Sequence, residues 1–176
     1  MIEEYLKVPK DRIAVIIGLH GETKKGIERA TKTSIEVDSE SGDIDVKSDA
    51  GNALNFYIAL NIIKAIARGF SPEHAFLLKE KDNYLEIIDL SELLGKSEKL
   101  IKQKKGRVIG REGRVREEIE RSTGALISVY GKTISIIGGL EEIEKAKKAI
   151  ELLLEGASHD RAKKFLRKES FKKFEL

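Results

Sequence analysis

The chain has 176 residues, of which 40% are hydrophobic and 36% are charged, so it can bury the core of one medium domain or two small ones. It contains no cysteine and three scattered histidines, which excludes a disulfide scaffold, a zinc ribbon, an iron–sulfur site, a cysteine nucleophile and a His-rich metal centre. Lys and Arg number 33 against 30 Asp and Glu, and this net charge of +3 does not by itself indicate a nucleic-acid partner.

The N-terminal sequence lacks the basic start and apolar centre of a signal peptide. No apolar run approaches the ~18 residues that a membrane helix needs. We therefore expect a soluble, cytoplasmic protein without a membrane partner. Dense charge of both signs, with one Gln and one Met, is typical of thermophile proteins and favours a heat-loving archaeal or bacterial source.

Periodicity and glycine placement predict one series of elements twice along the chain. In the first half we predict a strand at 5–8, helices at 11–17 and from 22 to about 31, strands at 34–38 and 43–47, and a long helix at 52–68. In the second half we predict a strand at 84–90, helices at 97–109 and from 114 to about 123, strands at 126–130 and 133–137, and a long helix at 140–155. A further helical segment follows each series, at 72–79 and 159–168.

Residues 17–37 and 109–129 are copies of one segment. At an offset of 92 residues, nine of 21 aligned positions are identical, including the glycine pairs of both copies. Chance does not produce this match, so we predict a tandem repeat. The fold class is α+β, with domains over 1–82 and 83–176, each a three-stranded antiparallel sheet covered on one face by helices.

Two glycines three residues apart separate the first two helices of each copy. In the second copy the loop reads Gly110-Arg111-Glu112-Gly113. Glycine lets another backbone come close, and the helix that follows presents unpaired N–H groups and a positive dipole end to a phosphate. Arg111 adds a charge-assisted hydrogen bond. Taken alone, the G-x-x-G pattern fits any tight turn between helices equally well.

Positive charge is concentrated around the second loop. Residues 99–121 include nine basic and four acidic side chains, a net charge of +5, whereas 82–158 as a whole is neutral. Such focusing favours phosphate binding through counterion release, although a solvated face of a thermophile protein is the alternative. The cations that we predict to contact phosphates are Lys104, Lys105, Arg107, Arg111, Arg114 and Arg116.

The first loop, Gly18-Leu19-His20-Gly21, has no permanent cation between its glycines. Leu19 would be exposed unless something covers it. We therefore predict a structural role for this loop, or a second site that contacts a protein partner. No carboxylate pair suits acid–base catalysis, and Gly131-Lys132-Thr133 lies in a strand-to-strand turn where no phosphate loop forms. We expect no enzyme activity, cofactor or metal.

The last 18 residues, 159–176, have seven basic and three acidic side chains, with Phe165, Phe171 and Phe174 between them. One interpretation is a basic helix that packs Phe165 and Leu166 on the domain. The other is an additional contact with RNA or protein. For 159–168 the first interpretation is favoured, and for the remainder both stay open.

The segment Val108-Ile109-Gly110-Arg111-Glu112-Gly113, within a β-α-α-β-β-α order, resembles the type I KH domain, whose GXXG loop clamps single-stranded backbone. The pair of units is similar to the archaeal form of the Partner-of-Nob family of small-subunit assembly factors, and the related Krr type shares these features. The resemblance implies binding near the 3′ end of small-subunit ribosomal RNA, beside the Nob endonuclease or other assembly and translation factors.

The resemblance also implies an apolar groove for the bases beside the GXXG loop. We expect its walls to be Val108, Ile109, Ile119 and Ile127, with the edge of strand 126–130 reading the bases. Three alternatives remain: a general RNA-binding module acting on mRNA or in translation, a protein scaffold with vestigial KH domains, and a nuclease. The last would need a carboxylate cluster that the sequence does not offer.

Overall fold

The computed structural model describes the backbone of residues 1–172 and the side chains of residues 1–169. Its chain forms two compact units, of which the first comprises Met1–Lys81 and the second begins at Asp82. Phe171 and Phe174, which the sequence singles out as anchor or stacking residues, lie outside the described side chains.

The first unit contains three strands and four α-helices. In chain order they are β1 (Ile2–Lys7), α1 (Lys10–Ile17), α2 (Glu22–Thr31), β2 (Ser34–Val37), β3 (Asp43–Ser48), α3 (Ala53–Ala67) and α4 (Pro72–Phe76). The strands form an antiparallel sheet in the order β1-β3-β2. Burial alternates along β3, where Ile44 and Val46 face the core, and α3 packs on this strand.

The second unit repeats this order and adds one helix after its first strand. Its elements are β4 (Tyr84–Asp89), α5 (Leu90–Leu94), α6 (Glu98–Ile109), α7 (Arg114–Thr123), β5 (Leu126–Tyr130), β6 (Thr133–Gly138), α8 (Leu140–Leu154) and α9 (His159–Lys172). The antiparallel sheet has the order β4-β6-β5. The predicted α+β class, with two three-stranded antiparallel sheets, is confirmed.

Three local predictions need correction. The first strand, predicted at 5–8, spans Ile2–Lys7. The strand predicted at 84–90 ends at Asp89, and the short helix α5 follows it, because the Asp89 carboxylate accepts a hydrogen bond from the Ser91 N–H at 2.8 Å and caps that helix. The terminal helix predicted at 159–168 continues to Lys172. None of these changes alters the order of the repeated elements.

Positions that are identical in the two copies maintain the fold. Ile27 and Ile119 are buried in their units. The hydroxyls of Thr31 and Thr123 donate to the carbonyls of Ile27 and Ile119 at 2.7 and 2.8 Å, near the end of each helix. The repeat therefore preserves a shared frame around each GXXG loop.

A carboxylate of each second helix fixes the neighbouring edge strand. The Glu28 Oε1 atom accepts the Ile35 N–H at 2.8 Å, and the Glu120 Oε1 atom accepts the Ile127 N–H at the same distance. A carboxylate is a strong acceptor for an N–H that the sheet does not use. Glu28 and Glu120 thus tie α2 to β2 and α7 to β5.

Candidate nucleic-acid interface

The two GXXG loops share one backbone conformation. Gly110 has φ 73° and ψ 177°, and Gly18 has φ 74° and ψ 171°. The third residue of each loop is left-handed, with φ 54° at Glu112 and 52° at His20. The side chains between the glycines therefore distinguish the loops, while their backbone course does not.

The two glycines of the second loop serve different purposes. A Cβ at Gly110 would lie 2.3 Å from Val115 Cγ2 and 2.9 Å from the Val115 nitrogen, so only glycine fits where the loop packs on α7. A Cβ at Gly113 would have Glu117 Oε1, at 3.9 Å, as its nearest neighbour. Gly110 therefore serves internal packing, and a side chain at Gly113 would have room. The approach of a ligand backbone to these glycines stays a prediction.

The charged side chains of the second loop point outward. The Arg111 side chain is exposed and makes no hydrogen bond or ion pair with any residue in the described part of the chain. Arg114 forms a 3.2 Å ion pair with Glu112, and both side chains are more than 70% exposed. An exposed pair of this kind contributes little to stability, so Arg114 can exchange it for a phosphate.

The structure gives Lys104 and Arg107 internal contacts. The Lys104 ammonium donates to the Leu154 carbonyl at 2.5 Å, and the Arg107 guanidinium donates to the Ala157 carbonyl. These carbonyls lie at and just beyond the C-terminal end of α8, where cations are favoured. Both side chains therefore have a structural role, and their predicted contacts with phosphate stay predictions.

Two further cations of the predicted set occupy intermediate positions. Lys105 donates to the Gly131 carbonyl in the β5–β6 turn at 2.6 Å, at an exposed contact. Arg116 is half-buried, and its Nε has no hydrogen-bond partner among the described residues. Their contacts with phosphate stay predictions.

The predicted apolar groove is wrong for three of its four residues. Val108, Ile119 and Ile127 are 0%, 1% and 3% exposed and belong to the hydrophobic core of the second unit. They follow the helix and strand periodicities that place a residue on the inner face, so they cannot meet a base directly. Ile109 is half-buried beside the loop, as is Val115, which the sequence analysis did not select.

The edge strand is also partly occupied. Because Glu120 already accepts the Ile127 N–H, this donor is not available to a base. The Glu28/Glu120 identity was visible in the repeat and could have revealed this contact. Arg12 and Lys104 occupy equivalent positions, and this shared positive charge likewise indicates a structural cation. Arg12 donates to the Ile66 and Phe70 carbonyls at 2.8 Å, at the end of α3. Lys104 makes the equivalent contact at the end of α8.

The first loop differs in its side chains and its surroundings. Leu19 is 75% exposed, and His20 is exposed beside it. The Lys24 ammonium donates to the Ile35 carbonyl at 2.9 Å while Glu28 accepts the Ile35 N–H, so both polar backbone groups of that residue are already bound. This loop offers an apolar side chain and an occupied strand edge.

Charges of both signs cover the outer face of the first sheet. Lys47 lies 2.5 Å from an Asp45 carboxylate oxygen and 3.2 Å from one of Glu3. The hydrogen bond to Asp45, followed by that to Glu3, raises the pKa of Lys47. A hydrogen bond from Tyr5, followed by the one from Lys47, lowers the pKa of Glu3. The carboxylates and cations of this exposed face thus favour each other's charged forms.

No group of three or more His, Cys, Asp or Glu side chains within the described part of the chain is placed to hold a metal ion. No helix among the described residues is long and apolar enough to cross a membrane.

Family models match both units. The model of the second PNO1 KH domain, described as a eukaryotic-type KH domain of type I, matches residues 84–171, and a general KH-domain model matches residues 3–53. The chain is 43% identical to a KH domain-containing protein of Methanocaldococcus jannaschii over 98% of its own length and 78% of that protein. It is 28% identical to the pre-rRNA-processing protein PNO1 of Candida albicans over 55% of its length and 36% of that protein.

Two solved structures from Pyrococcus horikoshii are similar over nearly the whole chain. Dim2p matches with a TM-score of 0.88 and 47% identity, covering 96% of this chain and 99% of that one. A crystal structure of a complex of a/eIF2α, aDim2p and rRNA contains a chain that matches with a TM-score of 0.88 and 45% identity, covering 97% of this chain and 95% of that one.

Proposed function

Because this chain belongs to the type I KH-domain family, we propose that it binds single-stranded RNA through its second unit and acts in assembly of the small ribosomal subunit. The observation that carries this proposal is the loop 110–113, where the exposed Arg111 has no partner among the described residues and the surface at Gly113 is open. Pre-rRNA processing by the PNO1 relative and the rRNA in the aDim2p complex support the same reading.

The loop holds RNA by its charge and its position. Arg111 donates to a phosphate near the positive end of the α7 helix dipole. Arg114 leaves its exposed pair with Glu112 to bind a neighbouring phosphate. The open surface at Gly113 admits the sugar–phosphate backbone, and Ile109 and Val115 supply apolar contact beside it.

The finer target is RNA near the 3′ end of the small-subunit ribosomal RNA, in the cytoplasm. The protein has a binding role there and no catalytic one. Its place beside the maturing end brings it together with the Nob endonuclease or a translation factor. The complex of the aDim2p relative with a/eIF2α supports a protein partner of the latter kind.

The first loop is the proposed contact for that protein partner. Leu19 is an exposed apolar side chain on a rigid turn, and the neighbouring strand edge at Ile35 is occupied by Lys24 and Glu28. An apolar side chain held in this way gains more from burial against a protein than from contact with phosphate.

The test is binding of a labelled single-stranded RNA from the rRNA 3′ end at two salt concentrations. The double variant Arg111→Asp/Glu112→Asp is compared with the matched variant Leu19→Asp/His20→Asp in the other loop. We expect the first variant to lose at least tenfold in affinity, because an acid replaces the phosphate ligand Arg111 beside a second acid, and the second to bind like the wild type.

The experiment also includes an unrelated single-stranded RNA of the same length. After each measurement the RNA is checked for cleavage. Equal affinity for both RNAs would favour a general RNA-binding module over an rRNA factor. Unchanged binding by both double variants would favour the protein scaffold. Cleavage of the RNA by the pure protein would contradict the binding role.

A further inference from the structure

The terminal helix α9 has an apolar side and a basic side. Ala162 and Leu166 are 2% and 3% exposed and belong to the core of the second unit. Four cations of the same helix are exposed to solvent: Arg161, Lys164, Arg167 and Lys168. The helix is therefore a fixed part of the unit that presents positive charge outward.

The beginning of α9 lies next to the GXXG loop. The His159 Nε2 atom is 3.1 Å from the Arg107 carbonyl oxygen, and the Arg107 guanidinium donates to the Ala157 carbonyl just before the helix. Arg107 precedes Gly110 by three residues, about 4.5 Å along a helix axis. From this point α9 runs for 14 residues, about 21 Å, packed on α7 and α8.

The four exposed cations have no ion-pair partner among the residues with described side chains. Residues 159–168 include five basic side chains and one acidic, a net charge of +4. The corresponding last helix of the first unit, Pro72–Phe76, contains no Lys or Arg. The basic helix thus accompanies the unit whose loop has a cation, and is missing from the unit whose loop has none.

We propose that RNA held at loop 110–113 continues along α9, where Arg161, Lys164 and Arg167 bind successive backbone phosphates. This inference rests on the proposed function of the loop and extends its footprint beyond the nucleotides that a KH loop clamps. Unpaired cations on a helix anchored beside the loop match the charge of the emerging strand. The contacts track the backbone and are independent of base sequence.

The test compares two RNA lengths and two triple variants. The RNAs have about 4 nucleotides, the length that a KH loop clamps, and about 12 nucleotides, within the range of extended single-strand sites. Arg161→Ser/Lys164→Ser/Arg167→Ser removes the proposed contacts. The matched control Lys79→Ser/Lys81→Ser/Lys96→Ser removes the same charge from exposed positions outside both loops and α9.

We expect the α9 variant to lose about tenfold in affinity for the longer RNA and less than twofold for the shorter. The slope of log affinity against log salt for the longer RNA should fall by about 2, because each phosphate contact on a single strand contributes about 0.7. The control should keep both affinities within twofold. Far-ultraviolet circular dichroism and the thermal midpoint should match the wild type, since the changed side chains are exposed.

Two results would overturn the inference. One is unchanged affinity for the longer RNA, which would leave the basic side of α9 to a protein. The other is an equal loss for both lengths, which would place these cations at the loop site itself. Arg111→Asp, measured in parallel, tests the loop: if it loses both RNAs while the α9 variant loses neither, the proposed function stands and only this extension fails.

Discussion

The first KH unit has Leu19 and His20 between its loop glycines where the second has Arg111 and Glu112, yet φ is 74° at Gly18 and 73° at Gly110. In both loops the first glycine packs against the second residue of the next helix, and this contact fixes the loop backbone. A loop can thus change the side chains between its glycines and keep its backbone, because the backbone is held by internal packing.

Outside the loops, too, the two units share internal contacts and differ in exposed side chains. Glu28 and Glu120, and likewise Arg12 and Lys104, make matching contacts in the two units. The differences lie in exposed side chains around this frame and in the basic helix that only the second unit has after it. Identity between the copies therefore marks the fold, and divergence between them marks function.

The largest loss of stability is expected from substituting the first glycine of either loop. Gly18→Ala and Gly110→Ala should each destabilise the protein by about 3 kcal/mol, because the backbone lies in a region nearly restricted to glycine and the new Cβ meets Thr23 or Val115 at 2.3 Å. Gly113→Ala, with open space around its Cβ, should cost about 1 kcal/mol. Urea unfolding measures all three, and equal costs at Gly110 and Gly113 would contradict the separate roles.

A smaller loss of stability, similar in the two units, is expected at the equivalent residues Arg12 and Lys104. Arg12→Met and Lys104→Met should each lower the free energy of unfolding by about 2 kcal/mol, since a charged donor to the end of the long helix is lost. The RNA affinity of folded Lys104→Met should stay within twofold of the wild type. A tenfold loss of RNA binding at unchanged stability would restore Lys104 as a phosphate ligand.

The carboxylates that tie each second helix to its edge strand should have weaker effects. Glu28→Ala and Glu120→Ala leave the Ile35 or Ile127 N–H to water, at a cost of about 1 kcal/mol each. Hydrogen exchange should accelerate at that one amide in each variant. If the amide exchanged as slowly as in the wild type, the carboxylate would not be its acceptor in solution.

The smallest expected effect is a pH-dependent change in stability at Asp38, in the first unit. Hydrogen bonds from the Ser41 and Glu40 N–H groups hold the pKa of Asp38 below its ordinary value. A lowered folded pKa contributes stability above the unfolded value of 3.8, and this contribution disappears as pH falls through the folded pKa. Asp38→Asn, which keeps an acceptor oxygen, should lower the thermal midpoint at pH 7, and its difference from the wild type should shrink as pH falls below 3.8. A difference independent of pH would show that charge is not the cause.

Much of the fold was predictable because its signals are local. The element order of both units follows from the alternating strands, the periodic helices and the paired glycines. The repeat adds support, because the same order was predicted independently in each half. The helix α5 was missed because its five residues are too few for a periodicity, and only the capping carboxylate of Asp89 reveals it.

The site was predictable only in part, since composition does not reveal which cations have internal partners. Arg111 was identified by its place between two glycines, and it is exposed. Arg107 was chosen for its charge alone, and its carbonyl acceptor at Ala157 is 50 residues away in the chain. Val108, Ile119 and Ile127 were expected as groove walls from the family resemblance, but residues spaced for one helix or strand face are buried in the core first.

The most direct test of the central claim exchanges the two loop dipeptides. Arg111→Leu/Glu112→His gives the second loop the side chains of the first without changing its backbone, and Leu19→Arg/His20→Glu does the reverse. We predict that the first exchange lowers affinity for single-stranded RNA at least tenfold at unchanged stability. The reverse exchange, added to it, should not restore binding, because Lys24 still occupies the Ile35 carbonyl. Full binding by the protein with the exchanged second loop would contradict the claim that Arg111 and its loop hold the RNA.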